Sequence, residues 1–252
     1  MIIIPAIDLK DGRCVRLRQG RMDSPTVFNE DPVAQALLWE SLGAPRIHLV
    51  DLDGSIEAQP ANFWRIVQIA AEVRVPVQVG GGIRDEATIR RYLDIGVSTL
   101  ILGTLPVKDP EAAMRMLSLF PGTLAIGIDA REGQVAVEGW TEDTTIQAVD
   151  LAARFDNAGA AAFIYTDIAR DGMMRGPNIA ATKAFAESVS TPVILSGGVS
   201  TLADVANALP LAKDGVMGII IGRALYEGQI DLVKAIDLAR EADASKENNT
   251  MP

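Results

Sequence analysis

Asp8 and Asp129 carry the clearest chemical signal in this chain. Each follows an isoleucine at the end of a β-branched apolar run. Two carboxyl groups brought to opposite sides of one small molecule can serve as general acid and general base. Little else in the sequence competes for that work. His48 is the only histidine, which nearly excludes a histidine-based triad. Cys14 is the only cysteine, which excludes an intrachain disulfide and a cysteine-cage metal site. For either aspartate taken alone, the competing structural role is to cap the loop that follows it.

Glycine is the second signal. Gly80-Gly81-Gly82 and Gly197-Gly198 each lie between an apolar run and a helical pattern, and Gly103 and Gly222 do the same. Without Cβ atoms the backbone can approach a ligand closely. Its N–H groups can then meet an anion beside a helix N-terminus. Two phosphate seats are expected on this basis. Gly81, Gly82, Gly103 and Thr104 would form one, and Gly197, Gly198, Gly222 and Arg223 the other. Arg223 would add a formal positive charge. The competing structural role for the glycines is a set of tight turns.

The elements that must hold these residues follow from periodicity. Apolar runs at residues 2–8, 46–51, 75–79, 99–103, 123–129, 162–166, 192–196 and 218–222 predict eight strands, each buried on both faces. Helical patterns lie between them at 62–73, 85–95 and 202–209, another opens at Asp109-Pro110, and one closes the series at 228–240. Eight strand–helix units in 252 residues match a closed α/β (β/α)8 barrel of the TIM type. The alternative, a doubly wound open sheet, would show Gly-x-Gly-x-x-Gly after an early strand, and none is present. Residues 1–240 read as a single barrel and 241–252, which lose all periodicity, as a disordered tail.

The barrel is also a repeat. Val79 to Ile83 is echoed by Leu195 to Val199, Ile101-Leu102-Gly103-Thr104 by Ile220-Ile221-Gly222-Arg223, Ile7-Asp8 by Ile128-Asp129, and Val50-Asp51 by Thr166-Asp167. The offsets lie between 116 and 121 residues. Two related half-barrels follow, so a residue after one strand has a counterpart across the mouth.

With 23 basic and 33 acidic residues the net charge is −10, which argues against a nucleic-acid binder. Attraction of an anion must come from local donors. No apolar run reaches the ~18 residues of a membrane span, and residues 1–8 show no basic region or cleavage-like site. A cytoplasmic monomer is expected, with no nucleic-acid or membrane partner. Asp51, Asp53, Asp167 and Asp171 crowd two strand ends, but their spacing fits loop-fixing better than a metal site. His48 within a strand and Cys14 among apolar and basic neighbours read as structural. Arg16, Arg18 and Arg21 either reach a phosphate or are solvated. Trp140 either stacks on a planar ligand or packs its loop.

Four segments resemble the isomerase family of histidine biosynthesis. They are Ile4-Pro5-Ala6-Ile7-Asp8-Leu9-Lys10-Asp11-Gly12, His48-Leu49-Val50-Asp51-Leu52-Asp53-Gly54, Val79-Gly80-Gly81-Gly82-Ile83-Arg84 and Thr166-Asp167-Ile168-Ala169-Arg170-Asp171-Gly172. The resemblance covers residues 1–240. It implies an aldose–ketose isomerase acting on phosphoribosylformimino-aminoimidazole carboxamide ribotide, a bis-phosphorylated small molecule, by an Amadori rearrangement. It implies Asp8 as general base, Asp129 as general acid and Thr166 as the residue assisting Asp129. It implies no cofactor and no metal. The loop after Thr166, which includes Gly172, closes over substrate in that family. Here it departs from the family pattern at Met173 to Asn178.

Three rivals remain. The sister cyclase of the same pathway has the same half-barrels, but typically reads Cys-Leu-Asp at the first strand where this chain has Ala6-Ile7-Asp8, and lacks the Thr166 to Gly172 pattern. A dual-substrate isomerase would also take phosphoribosyl anthranilate. A non-catalytic barrel would bind sugar phosphates without turnover.

Overall fold

Each apolar run singled out in the sequence is a strand, and the strands close on themselves. They are β1 (Ile2–Lys10), β2 (Ile47–Asp51), β3 (Val77–Gly80), β4 (Thr99–Leu102), β5 (Leu124–Arg131), β6 (Phe163–Asp167), β7 (Val193–Ser196) and β8 (Val216–Ile221). In this computed structural model, which describes residues 1–16, 26–57 and 59–249, they pair in chain order and all parallel. β8 returns to β1, so the barrel has no open edge.

Alternation along the strands sorts the side chains into two cores. In β1, Ile3, Ile7 and Leu9 face the outer layer, while Ile4 and Ala6 face inward. Ile4, Ile101, Ala125, Ile164 and Ile220 meet inside the barrel as a plug. Each such isoleucine is worth roughly 1.5–3 kcal/mol against exposure. The plug fills the barrel beneath the C-terminal ends of the strands. The same alternation, carried two residues on from Ala6, turns Asp8 inward above it.

The outer layer is a ring of helices: α1 (Pro32–Ser41), α2 (Phe63–Glu72), α3 (Glu86–Asp94), α4 (Pro110–Leu119), α5 (Ala148–Phe155), α6 (Ile179–Glu187), α7 (Leu202–Ala208) and α8 (Leu232–Asn249). Their starts are fixed by caps. Asp31, Asp85, Asp109 and Asn178 each accept a backbone N–H from the first turn. Thr201 and Asp204 form a reciprocal capping box. Gly96, at φ 90°, ends α3 as its position in the sequence predicts.

Two features depart from the sequence reading. Each half extends its first strand with an antiparallel ribbon: Arg13–Arg16 on β1 with Thr26–Asn29 beyond it, and Gln134–Val137 on β5 with Glu142–Gln147 beyond it. These ribbons are short and rich in charged and polar residues, so they carry no clear period-2 signal. The tail expected from residue 241 is instead helical through Asn249. Its Ala, Glu and Lys content favours helix without requiring an apolar face.

Candidate active site

The barrel mouth gathers the predicted residues into one pocket. Asp8 lines it from the end of β1 and Asp129 from β5, four strands apart in either direction round the barrel. Thr166 lines it from β6. Between the aspartates on one side lie Gly81, Gly82, Gly103 and Thr104, and on the other Gly197, Gly198, Gly222 and Arg223. Gly172, in the loop after β6, also reaches the lining.

The glycines are where a side chain cannot fit. Gly81 and Gly82 have φ of 104° and 71°, and Gly197 and Gly198 have 91° and 85°. A Cβ on Gly81 would lie 2.2 Å from the Asp51 carbonyl oxygen, and one on Gly197 would lie 2.8 Å from that of Asp167. The tight turn therefore requires glycine in both halves. The same residues bring bare backbone to the pocket wall. Four-residue helices, Leu105–Lys108 and Arg223–Tyr226, begin at Thr104 and Gly222 without a side-chain cap. The first N–H groups of the second are suited to an anion, whereas the first offers only that of Leu105, because Pro106 has none and Val107 and Lys108 donate to the Thr104 carbonyl.

Two aspartates brace these turns. The Asp51 carboxylate is wholly buried and accepts hydrogen bonds from the Gly54, Ala61 and Asn62 N–H groups and from Asn62 Nδ2, at 2.7–2.9 Å. Its counterpart Asp167 accepts from Asn178 Nδ2 at 2.7 Å. Asp51 and Asp167 thus fix loops, as their spacing suggested. Among the described residues no group of three or more His, Cys, Asp or Glu could hold a metal ion.

Asp129 has a distinctive setting. Strand register puts Thr166 directly across from it. The Trp140 indole Nε1 donates to Asp129 Oδ2 at 2.8 Å. Burial pushes the Asp129 carboxyl above the ordinary carboxylate range, while the hydrogen bonds from Trp140 and Thr166 pull it back down. Burial dominates, which favours a protonated carboxyl group able to donate.

A protein-family model described as histidine biosynthesis protein matches residues 2–231. The chain belongs to that family. It is 56% identical over 241 residues to a protein of Desulfatibacillum aliphaticivorans, covering 96% of both chains. It is 54% identical over 242 residues to one of Syntrophus aciditrophicus, covering 96% of this chain and 100% of the relative. It is 52% identical over 244 residues to one of Geobacter sulfurreducens, covering 97% and 100%. All three relatives are named 1-(5-phosphoribosyl)-5-((5-phosphoribosylamino)methylideneamino)imidazole-4-carboxamide isomerase.

In this histidine biosynthesis protein the pocket holds residues that sequence reasoning passed over. Arg84 lines the wall beside Gly81 and Gly82, giving each side of the mouth one arginine. Its position directly after Gly-Gly-Gly-Ile was the available signal. Asp171 and Glu138 add carboxylates to the pocket, and Asp171 is one that the sequence places among the loop-fixing residues. Trp140 resolves as a partner of Asp129. Glu138, Gly139 and Trp140 all adopt positive φ, of 55°, 63° and 70°, which sharply turns the loop and its indole. A local backbone reversal of that kind has no reliable sequence signature. Arg223 is anchored by Nη1, which donates to the Gly172 carbonyl at 2.8 Å, and by Nε, which donates to Glu227 at 2.6 Å. His48 is buried but lines the pocket. Cys14 is buried in the outer core. Arg18 and Arg21 lie outside the described residues, and Arg16 is described only as the last residue of the Arg13–Arg16 strand.

Proposed function

We propose that this barrel is the aminoaldose–aminoketose isomerase of histidine biosynthesis, acting on the substrate named for its relatives. One observation carries the reading: two aspartates on diametrically placed strands line a single pocket between two glycine-walled seats. A long substrate with a phosphate at each end spans the mouth from seat to seat. Its reacting ribose then lies between Asp8 and Asp129. Backbone N–H groups and one arginine per seat meet the phosphates, which reconciles an anionic ligand with a net charge of −10.

The chemistry follows from that placement. Asp129, whose protonated form burial favours, gives its proton to the furanose ring oxygen, and the ring opens to a protonated Schiff base. Thr166 and Trp140 hold the Asp129 carboxyl in place and stabilise the carboxylate left behind. Asp8 takes the proton from C2, and the electron pair of that C–H bond neutralises the iminium to give an enolamine. Tautomerisation then yields the aminoketose. No electron leaves or enters the substrate. The enzyme on this reading is a cytoplasmic monomer needing no cofactor, metal or partner chain. No helix among the described residues is long and apolar enough to cross a membrane.

The test is turnover by the purified chain of the aminoaldose, with phosphoribosyl anthranilate assayed beside it. Conversion of the aminoaldose alone is the expected result. Comparable conversion of both would make it a dual-substrate enzyme, and binding without conversion would make it a non-catalytic barrel.

A further inference from the structure

Beneath the two aspartates the barrel encloses a polar chain that the mechanism above does not use. Arg46 Nη1 donates to Gln78 Oε1 at 3.3 Å. The other end of the same amide, Gln78 Nε2, lies 2.8 Å from His48 Nδ1. Gln78 is wholly buried and lies opposite His48 in the β2–β3 register. His48 pairs with Ala6, two residues before Asp8 on the neighbouring strand, and lines the pocket.

The donor rules leave this chain one consistent assignment. A guanidinium has donors and no acceptor, so the amide atom facing Arg46 must be oxygen. The amide then has only N–H groups to offer His48, so Nδ1 must accept. An imidazole that accepts at Nδ1 carries its proton at Nε2, on the other edge of the ring. We propose that Arg46 and Gln78 are positioning residues that lock His48 as the Nε2–H tautomer, so that the imidazole presents a hydrogen-bond donor to an oxygen of the substrate's sugar near Asp8. A donor held there helps keep the sugar in register with Asp8 without placing another carboxylate beside the base. The ligand half of the inference rests on the isomerase reading; the tautomer half does not.

His48 is the only histidine in the chain, so one 15N-histidine-labelled, tag-free sample gives one imidazole. A two-bond 1H–15N correlation spectrum at about pH 8, where an ordinary imidazole is neutral, reads the tautomer without substrate. Failure of the substrate assignment would therefore appear in turnover and leave this spectrum unaffected. The Nε2–H pattern is expected for the unaltered protein. Gln78→Glu replaces the donor with an acceptor and should move the proton to Nδ1. Arg46→Met, which keeps much of the apolar stem, should release the amide and give a mixed pattern. Both variants, and His48→Phe, should lower kcat/KM for the aminoaldose about tenfold, the loss of one buried hydrogen bond. Thermal unfolding of each variant checks that it is folded. An Nδ1–H pattern in the unaltered protein overturns the proposal with no variant needed. So does a folded Gln78→Glu variant that keeps the Nε2–H pattern, or a folded His48→Phe variant with unaltered kcat/KM.

Discussion

Asp8 and Asp129 occupy equivalent places in the two halves, but their neighbours differ. The strand beside Asp8 pairs it with Val50, whereas the strand beside Asp129 pairs it with Thr166. The C-terminal half adds the Trp140 indole to the same carboxylate. The seats diverge in a complementary way. The N-terminal seat has Arg84 where the repeat places Ser200, and Thr104 where the C-terminal seat has Arg223. Duplication kept the glycine turns, which tolerate no Cβ in either copy, and let the charged and hydrogen-bonding groups drift. On the proposed reading a symmetric frame carries an asymmetric reaction, with one aspartate as donor and the other as acceptor.

The largest effect that tests this division is on turnover. Asp8→Asn and Asp129→Asn should each lower kcat by about a thousandfold, within the range of general acid–base catalysis, with little change in ligand affinity. Asp171→Asn, measured beside them, should cost much less. An equal loss there would move the donor role away from Asp129. Next in size are the loop braces. Asp51→Ala removes the acceptor of four hydrogen bonds, three of them buried, and should cost about 3 kcal/mol or more in chemical unfolding. Asp167→Ala should cost clearly less, since among the described residues Oδ1 of Asp167 is buried without a partner and its Oδ2 has one hydrogen bond, from Asn178, and a 4.0 Å ion-pair contact with Arg170.

The seats come third. Arg84→Ala and Arg223→Ala should each raise KM about tenfold while leaving kcat within a few-fold, the signature of lost binding rather than lost chemistry. An effect from only one of them would break the two-seat comparison. The smallest change concerns pH. Hydrogen bonds from Trp140 and Thr166 hold the Asp129 carboxyl below where burial alone would place it. Trp140→Phe or Thr166→Val should therefore raise it further. Activity that needs protonated Asp129 would then persist to higher pH, moving the basic limb of the kcat/KM profile upward. A downward shift would contradict the acid role.

Much of this was legible in the chain. Continuous apolar runs gave all eight strands to within two residues at every end, because strands buried on both faces leave no ambiguity of period. The repeat located both glycine turns, since a glycine that backbone contact demands is as visible in one copy as in the other. What escaped was set by three-dimensional return of the chain. The hydrogen bond from Trp140 depends on consecutive left-handed residues in the β5 loop, and Arg84 joins the pocket lining only through the turn that follows β3. The Arg46–Gln78–His48 chain joins residues 30 positions and more apart whose types, read singly, suggest only structure.

The most direct measurement is a crystal structure of the Asp8→Asn variant with the aminoaldose bound. One phosphate is expected against Gly81, Gly82 and Arg84, the other against Gly197, Gly198 and Arg223, and the ribose between residue 8 and Asp129. A ligand lying with both phosphates on one side of the mouth, or with its ribose out of reach of Asp129, would contradict that placement.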